Sequence, residues 1–195
     1  MVGSSVYSFF KERKFKNIIT ISRKKLNLGN LKETDRFLKK KKPDIIINCA
    51  GKVGGIWANS QYPVEFLEEN ILIQMNLIKS AYKYKVKHLI NLGSSCIYPK
   101  NSKQPIKEEY LLSGQLEKTN EAYALAKIVG LKACEHYNKQ YGTSYLTVMP
   151  CNLYGPRDNF DLKNSHFIPA LIKKIVNSNK IKKKKVEIWG SGTPK

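Results

Sequence analysis

Four short apolar runs alternate with longer amphipathic stretches, and this rhythm constrains the fold more than any other feature of the chain. Residues 18–21, 45–48, 89–92 and 146–149 are rich in Ile, Leu and Val, and each ends in or is followed by Ser, Asn, Gly or Pro. Runs of this kind predict strands buried on both faces of a parallel sheet. The intervening stretches, about 31–41, 63–84 and 120–141, carry helical periodicity. In the second, Phe66, Ile73, Leu77 and Ala81 recur at helical spacing and are expected in the core. Pro63 stands near that helix start, where its missing N–H costs nothing. Strand–helix alternation implies an open, doubly wound α/β sheet. Ligands bind such sheets at the carboxyl ends of the strands. Ala50-Gly51-Lys52, Gly93-Ser94-Ser95 and Pro150-Cys151-Asn152 all stand at such ends. A helix is also expected from about Ser4. After Pro156 a loop leads into an amphipathic helix over about 166–178.

The charge balance is strongly basic: 35 Lys and Arg against 15 Asp and Glu give +20 over 195 residues. That invites a nucleic-acid or anionic partner. The lysines are dispersed, however, and the clusters 39–42 and 182–185 fall at helix or loop ends without interleaved aromatics. A stacking platform for bases needs those rings, so the lysines read as a solvated basic surface that could help attract a nucleotide diphosphate. Four cysteines (Cys49, Cys96, Cys134, Cys151) show neither Cys-x-x-Cys spacing nor a paired framework, which argues against zinc and disulfides. Apolar stretches fall far short of the roughly 20 residues of a membrane helix, and no signal-peptide pattern opens the chain. A cytoplasmic setting is expected.

Tyr123 and Lys127 stand four apart in Tyr-Ala-Leu-Ala-Lys, on one face of the expected third helix. An ammonium beside a phenol favours the phenolate and is expected to draw its pKa down from about 10. Such a Tyr can act as acid or base at a carbonyl or alcohol. A Ser at a neighbouring strand end, as in Leu92-Gly93-Ser94-Ser95-Cys96, could hold the substrate oxygen. Tyr-x-x-x-Lys alone is a weak signal, because such pairs occur on many solvated helix faces.

Leu92-Gly93-Ser94-Ser95-Cys96-Ile97-Tyr98-Pro99, the Tyr123–Lys127 motif and Met149-Pro150-Cys151-Asn152-Leu153-Tyr154-Gly155-Pro156 together resemble the extended short-chain dehydrogenase/reductase family. Lys52-Val53-Gly54-Gly55-Ile56, Asn164-Ser165-His166-Phe167-Ile168-Pro169 and the 186–194 stretch look specifically like the branch that epimerises and reduces GDP-4-keto-6-deoxy-mannose. The resemblance runs along nearly the whole chain, with several motifs agreeing in order and spacing.

It implies a Rossmann-like, NADP(H)-binding domain over residues 1–164 and the start of a nucleotide-sugar domain over 165–195. In the family, Tyr123 protonates the 4-keto oxygen while NADPH delivers hydride. Lys127 lowers the Tyr pKa and bonds the nicotinamide ribose, and Ser94 orients the carbonyl. Cys96 and His166 fall at the positions that shuttle protons at C3 and C5. Gly3 matches the last glycine of the pyrophosphate turn, and Arg23 the cation for the NADP 2′-phosphate. Leu92, Gly93, Ser95, Pro150, Cys151, Asn152, Leu153 and His166 border the cofactor, with Ser95 also serving backbone groups. Lys174 and Trp189 match contacts to the GDP moiety. His88 and His136 match nothing and are expected at the surface. Family members are commonly homodimers, paired through helices like 63–84 and 120–141. The chain is expected to lack the first strand with its earlier glycines and much of the substrate domain, and so to bind NADPH weakly or not at all on its own. The competing readings are a 4-epimerase or 4,6-dehydratase of the same family, and a non-catalytic basic module for nucleic acid. Ser95-Cys96 speaks against the first pair, since the 4-epimerases usually carry Thr or a Ser-Val pattern there and the dehydratases an Asp-Glu pair.

Overall fold

The computed structural model describes residues 1–182 and 185–188. Its elements are α1 (Val2–Glu12), α2 (Leu31–Lys41), β1 (Ile45–Asn48), α3 (Ile56–Gln61), α4 (Pro63–Lys83), β2 (His88–Leu92), α5 (Glu121–Tyr141), β3 (Ser144–Val148) and α6 (Phe167–Lys180). The strands form a parallel sheet in the order β1-β2-β3. Ile46 stands opposite Leu89, and Leu89 opposite Tyr145. This is the Rossmann-like α/β arrangement expected from the alternating pattern.

Local chemistry sets the helix ends. Asn30 caps α2 by accepting from Glu33 N–H at 3.2 Å, and Lys39, Lys40 and Lys41 meet the carboxyl end of that helix dipole. Pro63 opens α4 in the first turn. Gly142 closes α5 in the left-handed conformation, at φ 64°.

One sheet face carries the core. Ile46, Leu89 and Tyr145 lie in one row, packed with Leu38, Leu77, Ile78, Ala81, Val86 and Cys134 from the covering helices. The next row on that face is polar: Asn48, Asn91 and Thr147. Asn48 Nδ2 donates to Asn91 Oδ1, Asn91 Nδ2 to Gln74 Oε1, and Gln74 Nε2 to the carbonyls of Asn70 and Ala126, all at 2.9–3.0 Å. Gly130 makes room for this chain of amides. A Cβ there would overlap Gln74 Oε1 and stand 3.0 Å from Asn91 Nδ2.

Three expectations are corrected. Residues 18–21 form no strand; Ile19 and Ile21 are exposed, and the segment has no ladder partner, without which an extended run gains nothing from its β propensity. The strands are not buried on both faces: Ile45 and Leu146, on the face opposite the core, are 56% and 57% exposed, and α1 contributes no buried residue. On α4 the buried stripe is Phe66, Asn70, Gln74, Leu77, Ile78 and Ala81, with Ile73 only half-buried, because the amides of α4 face the polar row of the sheet. The short helix α3 was not expected, and the helix expected from 166 begins at Phe167 with His166 as its cap. No helix among the described residues is long and apolar enough to cross a membrane.

Candidate active site

The carboxyl end of β2 and the first turns of α5 build the site. Gly93 N–H extends the ladder to Val148 O at 2.8 Å, and the chain then turns at Ser94 into a 3-10 turn, Ser95–Ile97. Ser94 caps that turn, its Oγ accepting from Cys96 N–H. Ile97 is fully buried against Ile128 and Leu131 of α5. That anchor fixes where Ser94 and Cys96 stand relative to α5.

On α5, Ala124 and Ala126 are fully buried between Tyr123 and Lys127, so small side chains let the helix pack close. Lys127 is 3% exposed, and its Nζ donates to Leu92 O at 2.7 Å. An ammonium has three donors, so two remain for other acceptors. The Nζ lies 5.5 Å from the centre of the Tyr123 ring, and Phe66 meets that ring edge-on at 6.2 Å.

The electrostatics depart from the sequence expectation at Tyr123. Burial pushes its pKa well above the ordinary phenol value; a Cys96 charge would raise it further, and the Ser94 hydrogen bond only partly opposes this. The expected lowering by Lys127 is absent because the amine addresses Leu92 O and the ring face rather than the hydroxyl. Lys127 is itself depressed to about 8 by burial, against a raising effect of Cys96. Burial also raises the Cys96 thiol, while the Ser94 hydrogen bond and the Lys127 charge pull it down. At neutral pH the cluster therefore holds a neutral phenol, a neutral thiol and a buried amine that keeps its proton. Such a phenol is a proton donor, not a base.

The remaining candidates lie at several distances from this cluster. His166 is exposed, on a loop docked to β1's following segment: Gly55 N–H donates to Asn164 O at 3.2 Å. Gly54 and Gly55 permit that docking, since a Cβ at Gly55 would run into Ser165 O. A Cβ at Gly54 would press on Phe66 Cζ at 3.1 Å and on Asn164 O at 3.3 Å, so Phe66, edge-on to Tyr123, stands between that loop and the Tyr123 ring. Pro150 is half-buried, and Cys151, Asn152 and Leu153 are exposed beyond β3. Lys174 donates to Glu187 O at 2.9 Å, tying α6 to the stretch that follows it. Trp189 lies outside the described residues. Arg23 is exposed and pairs with Glu69. Gly3, in the first turn of α1, packs on Cys49 just beyond β1, and Met1 caps that helix without a side-chain hydrogen bond. The first-turn N–H groups of α1 thus suit an anion such as a pyrophosphate. His88 and His136 are at the surface as expected, with His88 hydrogen-bonded to Ser144.

Asn70 was missed by the sequence reading. It is 1% exposed and clamps Lys52, accepting from its N–H and donating to its carbonyl, both at 3.0 Å. The available signal was polarity out of place: Asn48 and Asn91 interrupt apolar strands, and Asn70 and Gln74 follow at i and i+4 on one helix face.

Residues 1–195 match the model of the NAD dependent epimerase/dehydratase family. The chain is 49% identical over 195 residues to the GDP-L-fucose synthase of Sinorhizobium fredii, covering all of this chain and 62% of that protein. It is 47% identical over 193 residues to the GDP-L-colitose synthase of Yersinia pseudotuberculosis, covering 98% of this chain and 62% of that protein. The crystal structure of a GDP-L-fucose synthetase from Naegleria fowleri bound to NADP superposes with a TM-score of 0.88 at 30% identity, over 98% of this chain and 63% of that one. The chain therefore spans just over three-fifths of the length of these relatives.

Proposed function

The chain belongs to the NAD dependent epimerase/dehydratase family, and from that premise we propose that it carries the catalytic residues of an NADPH-dependent GDP-L-fucose synthase. The reaction would convert GDP-4-keto-6-deoxy-D-mannose to GDP-L-fucose by epimerisation at C3 and C5 and reduction at C4. The observation that carries this reading is the gathering of Ser94, Cys96, Tyr123 and Lys127 around one strand end. Residues 1–164 would form the NADP-binding part and 165–195 would begin the sugar-nucleotide part.

When bound, NADPH supplies the hydride. Everything else falls to the chain. Ser94 holds the C4 carbonyl oxygen, and Tyr123, kept neutral by burial, gives its proton to that oxygen as charge develops there. Lys127, with two donors remaining after Leu92, would serve the nicotinamide ribose. Leu92, Gly93, Ser95, Pro150, Cys151, Asn152 and Leu153 would wall the cofactor, with Gly3 on the side of its pyrophosphate and Arg23 the cation for its 2′-phosphate. Cys96 and His166 exchange protons at the carbons flanking the ketone. For Cys96 to accept one, its thiolate must form, which burial opposes and Ser94 and Lys127 assist. His166 also borders the cofactor, and Lys174 and Trp189 take the GDP moiety.

Pairing of two copies through α4 and α5 belongs to the same reading; their exposed Leu72, Tyr82, Leu125 and Val129 suit it. Cytoplasmic work fits four free cysteines. The test is direct. The full-length protein is incubated with GDP-4-keto-6-deoxy-D-mannose and NADPH, and both cofactor oxidation and the sugar product are followed. No oxidation of NADPH sinks the proposal. The similarity to the colitose enzyme supports one second reading, a related GDP-keto-sugar as substrate. Competition between the fucose precursor and a 3-deoxy analogue decides between them.

A further inference from the structure

Arg23, Lys52 and Glu69 come from three separate parts of the chain, and the chemistry above uses neither Lys52 nor Glu69. Glu69, on α4, offers one carboxylate oxygen to each cation: Oε1 accepts from Lys52 Nζ at 2.7 Å and Oε2 from Arg23 Nη2 at 2.9 Å. Two cations thus share one carboxylate, leaving one positive charge in excess. They are held very differently. Lys52 is fixed at its backbone by the buried Asn70, and its ammonium lies 5.8 Å from the centre of the Phe66 ring. The Arg23 side chain is 75% exposed. A pair that open is weak and exchanges readily for another anion. Lys52–Glu69 is the shorter and less exposed of the two pairs, and Arg23 is the solvent-open partner.

We propose that Glu69 sets specificity for a phosphate monoester at this place: it competes with the ligand for Arg23, and Lys52 attenuates that competition. The inference rests on the reading that Arg23 meets the 2′-phosphate of the cofactor. On it, the Lys52–Glu69 pair decides how strongly the chain prefers 2′-phosphorylated adenosine over the 2′-hydroxyl form. Removing the carboxylate leaves Lys52 and Arg23 uncompensated and should favour a dianion. Removing Lys52 leaves Glu69 to neutralise Arg23 and should disfavour it. A unit charge ~6 Å away, at an effective dielectric between that of protein surface and water, changes affinity roughly tenfold.

The experiment titrates 2′,5′-ADP and 5′-AMP, detected by NMR up to millimolar concentrations, into the wild-type protein and into Glu69→Gln, Lys52→Met, the double variant and Arg23→Ala. The ratio of the two affinities is read, so that partial unfolding, which weakens both ligands alike, does not imitate the effect. The expected result is a ratio roughly tenfold higher in Glu69→Gln, similarly lower in Lys52→Met, and near wild type in the double variant. If Arg23→Ala abolishes the preference but Glu69→Gln fails to raise it, the role of Glu69 is overturned while the placement of Arg23 stands. An unchanged ratio in Arg23→Ala overturns both. So does a wild-type protein that does not bind 2′,5′-ADP, or one on which inorganic phosphate displaces it at equal concentration, which would make this a site for the free anion.

Discussion

The two groups of candidate residues, Ser94–Cys96–Tyr123–Lys127 and the stretch from His166 to Lys174, are supported in opposite ways. The first stands on buried ground: Ile97 locks its turn to α5, alanines bring the helix close, and the amide chain from Asn48 to Gln74 lies beneath it. The second stands on an exposed loop and a helix in which only Pro169 is buried. Its attachment is by backbone, through Gly55 to Asn164. The residues proposed to protonate the ketone are therefore held in place by the core. The residues proposed for epimerisation and nucleotide contact stand on largely exposed ground instead.

The sharpest way to break that contrast is at Tyr123. Tyr123→Phe keeps the edge-on packing with Phe66 and removes only the hydroxyl. Turnover of the full-length protein is expected to fall about 10³-fold, within the range of general acid catalysis, with the melting temperature unchanged. Undiminished turnover would remove Tyr123 from the proton path.

The core beneath the first group should be nearly as sensitive. Gly130→Ala forces a methyl into the space of Gln74 Oε1 and parts it from Asn91. Overpacking together with a broken buried amide pair is expected to cost about 3 kcal/mol. A urea unfolding curve measures it, and a cost below about 1 kcal/mol would mean that the amide chain re-forms around the methyl.

These two sites differ in how far the sequence revealed them. Tyr123, Lys127 and Ser94 were legible because short spacings on a helix and at a strand end translate directly into position. The parallel sheet was legible from its apolar runs. Residues 18–21 were misread because periodicity reports what a segment could bury, not whether a partner strand lies beside it. The direction of the Tyr123 shift was misread because sequence shows that an amine is near but not which acceptor it chooses; here Leu92 O takes it. Asn70, Gln74 and Gly130 stayed hidden because their meaning lies in contacts between elements far apart in the chain.

The exposed group gives the next comparison. His166→Asn should leave stability within about 0.5 kcal/mol, as surface substitutions do. It should nevertheless slow the entry of solvent deuterium at C3 and C5 by about 10²-fold. Cys96→Ser should slow the same exchange. If label enters at the wild-type rate in both variants, these residues do not carry the epimerisation.

The smallest effect is a pH dependence that belongs to the buried group alone. Lys127 is depressed to about 8 in the folded chain, whereas an unfolded lysine keeps its proton to about 10.4. Between those values the unfolded state binds more protons, so stability rises with pH. Burial of the ammonium thus lowers stability fully below about 8, and the cost is relieved as the amine deprotonates. Above about 10 the sign reverses, because the Tyr123 phenol, shifted upward by burial, keeps a proton that the unfolded chain has lost. The contribution of Lys127 alone from about pH 7.5 to about 9.5 should be a gain on the order of 1–2 kcal/mol. The Cys49, Cys96 and Cys134 thiols, raised by burial on folding, oppose it in wild type and Lys127→Met alike. Easing of repulsion within a chain of net charge +20 also stabilises over this range, but it is common to Lys127→Met. Urea midpoints of wild type and Lys127→Met across that interval isolate the difference: the wild-type curve should rise more steeply. Parallel curves would mean that the Lys127 amine titrates as a solvated group, and the supposed contrast between a buried and an open half of the site would lose its electrostatic part.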